Sequence, residues 1–204
     1  MSKMDPTVFV VDDDEAIRKA LKLLMKSVGL AVETYASARE YLDAYDPDRA
    51  GCLVLDIRMS GMSGIDLHRE LLAKHAITPV IFITGHGDVS MAVQAMKDGA
   101  VDFIQKPFSD QTLLDRIQHS LKLDEDNRRA LAQQQKISDR IQALTPRERE
   151  VMELIVEGHP NKVVAHRLGI SERTIEIHRS RVMKKLGATS LPHLVRMSLR
   201  AKEE

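Results

Sequence analysis

The sequence predicts an α/β unit on a five-stranded, parallel, doubly wound sheet. A helical linker joins it to an all-α, four-helix unit containing a helix-turn-helix. Three observations predict this. Five short apolar runs alternate with segments of helical period through residues 1–123, the pattern of a parallel sheet with helices on both faces. From residue 144 every apolar segment has helical period, with capping residues before and glycine after most of them. The charge also divides unevenly. The chain of 204 residues carries 30 basic and 30 acidic side chains, but residues 1–123 hold 14 and 18, and residues 140–204 hold 13 and 8. An acidic body followed by a basic end points to a nucleic-acid-binding tail.

Composition narrows the class. Apolar residues make up 43% and charged residues 29%, an ordinary soluble balance. No apolar run approaches the ~18 residues of a membrane span. The segment Met1–Pro6 is polar and leads into an apolar run that ends in four acids, unlike a signal peptide. A single cysteine, Cys52, excludes a disulfide framework and any cysteine-rich metal site. The expected compartment is the cytoplasm.

Taken in order, Val8–Val11 is a continuous apolar run, as in a strand buried on both faces. Ile17, Leu21, Leu24, Met25 and Val28 recur at helical spacing, and Gly29 stops that helix. Ala31–Tyr35 reads as a strand, and Ser37–Glu40 as a capping box opening a short helix. Cys52–Leu55 is the third strand, Ile65–His75 a helix, and Val80–Ile83 the fourth strand. Val89–Lys97 is helical, stopped at Gly99, and Val101–Ile104 is the fifth strand. Ser109 caps a helix carrying Leu113, Leu114, Ile117 and Leu121. Asp124–Gln135 has few apolar side chains, a Gln-Gln-Gln run and no Gly or Pro, and residues 124–143 read as a solvated helical linker. Beyond it, Thr145–Glu148 is a capping box with Pro146 at the first helical position, and that helix ends at Gly158. Asn161–Leu168, Glu172–Leu186 and a helix from Leu191 follow. The turn Leu168-Gly169-Ile170-Ser171 between two of them is the helix-turn-helix signature. The boundaries are therefore 1–123, 124–143 and 144–204.

The strand ends carry the chemistry, because open parallel sheets bind ligands outside the carboxyl ends of their strands. The first strand runs into Asp12 and Asp13, the third into Asp56, the fourth into Thr84 and the fifth into Lys106-Pro107. Each has an ordinary explanation alone: Asp13 and Asp14 as helix caps, Thr84 as a turn residue, Lys106 as solvated surface. Together at one rim they make a cluster of carboxylates that a cation such as Mg²⁺ would join through oxygen ligands. A lysine beside it can neutralise a phosphoryl group. The set suits a carboxylate that attacks a phosphoryl donor.

On these residues, with Phe103, residues 1–123 resemble a two-component receiver domain of the CheY-like fold. The resemblance implies that Asp56 accepts phosphate from a sensor histidine kinase. It implies that Asp13, Asp56 and the backbone carbonyl of Arg58 hold Mg²⁺, with Asp12 acting through water. Thr84 and Lys106 would hold the phosphoryl oxygens, Phe103 would switch rotamer with Thr84, and Lys106-Pro107 would be cis. Ser60 departs from the family pattern, which commonly has proline there; the chemistry does not depend on that side chain.

Residues 144–199 resemble the LuxR-type helix-turn-helix through Leu144–Glu150, Gly158, Asn161-Lys162, Ala165, Leu168–Ser171, Thr174, His178 and Lys185-Leu186-Gly187. The whole chain resembles the FixJ subgroup of NarL/FixJ response regulators. A helical wheel over Glu172–Leu186 puts Ile175, Val182 and Leu186 on the core side. Arg173, Ile177, Ser180 and Lys184 lie opposite, with Thr174, Glu176 and Arg181 on the rim. A recognition helix presents such a face to the major groove. Arg173, Arg181, Lys184 and Lys185 suit phosphates. Glu176 suits a cytosine amino group, and Ile177 a thymine methyl. Arg179 falls near the core side without an evident role.

The reading is a response regulator, not an enzyme. The resemblance implies that it takes phosphate on Asp56, dimerises through a face near residues 88–120 and binds promoter DNA. Its implied partners are a sensor histidine kinase, promoter DNA and RNA polymerase, with no membrane. A phosphotransferase or phosphatase could use the same acids, but no second general acid and no cap insertion are visible. A receiver that is never phosphorylated would not need the complete Asp-Thr-Lys set.

Overall fold

A computed structural model describes residues 5–85, 93, 94, 96, 97 and 99–201. It divides into two compact units, Met1–Arg128 and Arg129–Glu204.

The first unit is a five-stranded, all-parallel sheet in the order β2-β1-β3-β4-β5. Its strands are β1 (Thr7–Val11), β2 (Ala31–Tyr35), β3 (Gly51–Asp56), β4 (Val80–Thr84) and β5 (Asp102–Gln105). The order reverses between β1 and β3, which makes a crevice at their carboxyl ends. Strand alternation splits each apolar run between two cores. Val8, Val10, Cys52, Val54, Ile81 and Ile83 pack with Leu21 and Met25 of α1 (Glu15–Ser27) and with Leu113 and Ile117 of α4 (Asp110–Gln142). Phe9, Val11, Leu53, Leu55 and Phe82 pack on the other face with Tyr41 of α2 (Ala38–Ala44) and Leu67 and Leu71 of α3 (Gly64–Ala73). Cys52 is fully buried, as a small core residue should be, and burial pushes its thiol pKa upward.

The local signals act as expected. Gly29 takes φ 76° just beyond α1, a conformation that favours glycine. Ser37 Oγ accepts the Glu40 amide, but the Glu40 carboxylate reaches back to the Ala36 amide rather than to that of Ser37. Helix α3 stops at Ala73, two residues before the periodicity suggests, and His75 takes φ 56°. The helix expected over Val89–Lys97 lies mostly outside the described residues.

The second unit packs four helices around one core: α5 (Pro146–Val156), α6 (Asn161–Leu168), α7 (Glu172–Leu186) and α8 (Leu191–Arg200). Thr145 and Glu148 form the reciprocal capping box. Gly169 and Gly187 end α6 and α7 in the left-handed conformation. Helix α4 is continuous from Asp110 to Gln142. Its residue Ile137 is 6% exposed in the core of the second unit, so part of the stretch that reads as solvated linker is anchored. Near the other end of that stretch, Asp124 is 1% exposed. It accepts from the Gly51 amide and from Arg128, which also donates to the carbonyls of Pro47 and Arg49. Few apolar letters remained to show either contact.

Candidate functional sites

The crevice at the carboxyl ends of β1 and β3 gathers the acids. Asp56 ends β3, paired in register with Ile83 of β4, and Asp12 follows Val11 at the end of β1. Lys106 follows β5, its amide donating to the Thr84 carbonyl. From there its Nζ donates to Asp56 Oδ1 at 2.7 Å and Asp12 Oδ2 at 3.2 Å. Asp12, Asp56 and Thr84 are buried, while Lys106 is half-buried and Asp13 exposed. The Lys106-Pro107 peptide is cis, as the resemblance implies.

Backbone groups fix the carboxylates. Asp56 Oδ2 accepts the Arg58 amide at 2.7 Å, and Asp12 Oδ1 accepts the Asp14 amide at 2.9 Å. Asp13 Oδ2 accepts the Ser60 amide at 2.8 Å. Proline at that position would have no N–H to offer, so the Ser60 backbone ties the β3–α3 loop to the β1–α1 loop. Gly64 backs Asp56: a Cβ there would drive into the Asp56 carbonyl oxygen and crowd Leu55. Arg18 Nη1 donates to the Asp12 carbonyl at 2.7 Å. The helical spacing of α1 gave no sign of this contact, since Arg18 reads as one surface cation among several.

The electrostatics follow from burial and charge. Burial raises the Asp12 pKa above the ordinary carboxylate value, and the nearby charge of Asp56 adds to this. The Asp14 amide and Lys106 oppose it without cancelling it. For Lys106, burial works against the charged form, but the hydrogen bonds and charges of Asp56 and Asp12 outweigh it and raise its pKa. The ammonium is therefore held charged beside Asp56.

Among the described residues, no three acid, histidine or cysteine side chains converge tightly enough to enclose a metal by themselves. Mg²⁺ does not require such a cage, because it uses one or two carboxylates and keeps waters and phosphate oxygens. The hard oxygen donors of Asp12, Asp13 and Asp56 at one rim, with the Arg58 carbonyl in the adjoining loop, fit that chemistry. Phe103, on β5, is 37% exposed. The Thr84 hydroxyl donates to the Gly85 carbonyl at 3.2 Å.

In the second unit, Ile175, Val182 and Leu186 of α7 are fully buried. The opposite face exposes Arg173, Glu176, Ile177, Ser180, Arg181 and Lys184, with Ile177 47% exposed. Thr174 is half-buried, and its hydroxyl shares a hydrogen bond with the N-cap Ser171. Lys185, which its charge alone would give to phosphates, is bound to Glu148 at 2.6 Å. That carboxylate also accepts from the amide and hydroxyl of Thr145. Arg179 has a role the wheel did not reveal: its Nη1 donates to Asn161 Oδ1 at 3.2 Å, tying α7 to the start of α6. Arg147 likewise donates to the Leu168 carbonyl at the end of α6.

Comparison with known proteins places both units. Residues 8–118 match the response regulator receiver domain, and residues 142–198 match the bacterial regulatory proteins of the luxR family. The chain is 47% identical over 194 residues to the transcriptional regulatory protein FixJ of Azorhizobium caulinodans, covering 95% of this chain and 92% of that one. It is 48% identical to nodulation protein W of Bradyrhizobium diazoefficiens, over 94% of this chain and 84% of that one. Among solved structures, the response regulator StyR is 45% identical, with a TM-score of 0.85 over 96% of this chain and 99% of the other. Full-length FixJ from B. japonicum is 43% identical, with a TM-score of 0.60 over 96% and 97% of the two chains.

Proposed function

The chain belongs to the NarL/FixJ family of two-component response regulators, transcription regulators with a receiver and a LuxR-type DNA-binding domain, and from that premise we propose that phosphorylation of Asp56 controls its binding to promoter DNA. The observation that carries this is the Lys106 ammonium lying between the carboxylates of Asp12 and Asp56 at the crevice. An Asp56 carboxylate oxygen attacks the phosphorus of a phosphohistidine on a sensor kinase. The P–N bond breaks as the O–P bond forms, and the imidazole leaves. Mg²⁺, held by Asp13, Asp56 and the Arg58 carbonyl with Asp12 acting through water, would neutralise phosphoryl charge. Lys106, already charged and within reach, takes one phosphoryl oxygen, and the Thr84 hydroxyl takes another. Turning Thr84 toward the phosphoryl group draws Phe103 inward from its half-exposed position.

Differential affinity of the two receiver states for a second copy then converts this local change into dimerisation. The proposed dimer face, near residues 88–120, is partly outside the described residues. Dimerisation sets two α7 helices on adjacent half-sites. Arg173, Arg181 and Lys184 meet phosphates, and Glu176 and Ile177 meet base edges, with Thr174 and Ser180 alongside. The protein acts in the cytoplasm, with a sensor histidine kinase upstream and RNA polymerase at the promoter. Among the described residues no helix is long and apolar enough to cross a membrane.

DNA affinity measured before and after treatment with a small phosphodonor and Mg²⁺ tests the proposal. Wild type should tighten on treatment, and Asp56→Asn should not respond. An equal response in both would break the link between Asp56 and DNA.

A further inference from the structure

A second charged surface in the DNA-binding unit has no part in the reading above. A groove of about 530 Å³ runs between the end of α4 and helix α8. Lys136 and Arg140 line one wall, and His193, Arg196 and Arg200 the other. Its floor is apolar, made by the buried side chains of Ile137, Leu186 and Met197. A smaller hollow of about 210 Å³, lined by Ala130, Gln133, Gln134 and Arg200, continues it along α4.

The charge there is uncompensated. Within the unit, Lys185 meets Glu148 and Arg147 meets Glu150. Among the described residues, Lys136, Arg140, Arg196 and Arg200 form no ion pair. Arg140 gives one N–H to the Leu186 carbonyl and keeps the rest of its fork. His193 Nδ1 accepts the Thr189 amide at 3.3 Å. In the neutral ring this puts the proton on Nε2, a further donor.

We propose that this groove binds an acidic segment of a partner protein. Three arginine forks suit planar carboxylates, which they can grip with paired hydrogen bonds. The groove and its extension follow α4 from Ala130 to Arg140, a run of ~15 Å at 1.5 Å per residue. That length accommodates roughly four or five residues of extended chain. The floor offers an apolar side chain a place, but among the described lining residues there is no Phe, Tyr or Trp for a nucleobase to stack on. A DNA duplex meets proteins through its own grooves and convex backbone, which a concave cleft between two helices does not match.

The test uses the full chain and a fluorescein-labelled peptide, Glu-Glu-Leu-Glu-Glu, followed by anisotropy at physiological salt. The expected result is saturable binding that weakens about tenfold or more in Arg196→Gln/Arg200→Gln, the loss expected for charge-assisted hydrogen bonds. Arg196→Lys should give an intermediate loss, because it keeps the charge and loses the fork. Lys184→Ala, on the face of α7, should bind the peptide as wild type does. An unchanged circular dichroism spectrum shows that the double variant is folded. Four results overturn the proposal. One is peptide binding that survives in the double variant. Another is displacement by inorganic triphosphate at lower concentration than by unlabelled peptide, which assigns the groove to a phosphate anion. A third is a parallel tenfold loss of DNA affinity in the double variant, which assigns it to DNA. The fourth is binding seen only after Glu203 and Glu204 are removed, which assigns it to the chain's own end.

Discussion

Removing the Glu148 carboxylate should destabilise the DNA-binding unit by an amount that depends on pH. Glu148 is 4% exposed and receives hydrogen bonds from Lys185 at 2.6 Å and from the Thr145 amide and hydroxyl at 2.9 and 3.0 Å. Lys185 first, and then the Thr145 amide, hold its pKa down to about 2 from an ordinary 4.5. Each pKa unit corresponds to ~1.4 kcal/mol, which sets an upper bound of about 3.5 kcal/mol. The Lys185 side chain is 41% exposed, so solvent screening lowers the expected value for Glu148→Gln to about 1–2 kcal/mol. Glu148→Ala also loses half the capping box, adding about 1 kcal/mol. The folded pKa lies below the unfolded one, so this stability is fully present above pH 4.5 and disappears as pH falls toward about 2. Urea unfolding of residues 129–204, followed by far-ultraviolet circular dichroism, measures it; the chain has no tryptophan, and its tyrosines all lie in the first unit. Wild type and Glu148→Gln should differ by a constant amount above pH 5 and converge near pH 2. A gap that stays constant into strong acid, or none at neutral pH, would refute the assignment.

Other substitutions separate the remaining roles. Lys184→Ala should weaken binding about equally to all DNA sequences and lower the salt slope by ~1, as one lost phosphate contact does. Glu176→Ala or Ile177→Ala should instead change which half-sites bind, by about 1–3 kcal/mol per base contact in a randomised library; uniform tightening by the Glu176 variant would remove it from the reading set. Gly64→Ala should destabilise the first unit by about 1–3 kcal/mol, because its methyl group displaces the Asp56 backbone; wild-type stability would show that the loop yields freely. Residues 129–204 alone should bind DNA at low salt without phosphorylation; a folded fragment that does not bind would mean that the receiver supplies affinity rather than control.

The strands and the C-terminal helices were legible because their signals are local. The apolar runs of β1, β3 and β4 are continuous, helix α7 is bracketed by its Ser171 cap and Gly187, and helix α6 is closed by Gly169. The acidic rim was legible because the strand ends are set by topology, which carries Asp12, Asp56 and Lys106 to one crevice from positions far apart in the chain. The missing parts depend on long-range pairing of side chains that look interchangeable in sequence. Nothing marks Arg179 for Asn161, or Lys185 for Glu148, since a helical wheel gives direction but not partner. The anchoring of α4 was hidden for the same reason: Asp124 and Arg128 read as solvated charges, yet one is buried against Gly51 and the other closes the loop of Pro47 and Arg49. Ser60 shows the converse. Its side chain is dispensable to the chemistry, but its backbone N–H holds Asp13.

The most direct test of the central claim is radiolabelling with a small phosphodonor and Mg²⁺. Asp56 is the carboxylate that Lys106 approaches to 2.7 Å, with the Arg58 amide on its other oxygen. Wild type should take up about one alkali-labile phosphoryl group per chain, as expected for an acyl phosphate on a single carboxylate nucleophile. Chelating the metal should abolish uptake, and Asp56→Asn, which keeps the shape and loses the nucleophile, should remain unlabelled. An alkali-labile phosphoryl group on the Asp56→Asn chain, at the same stoichiometry, would contradict the account and require another acceptor.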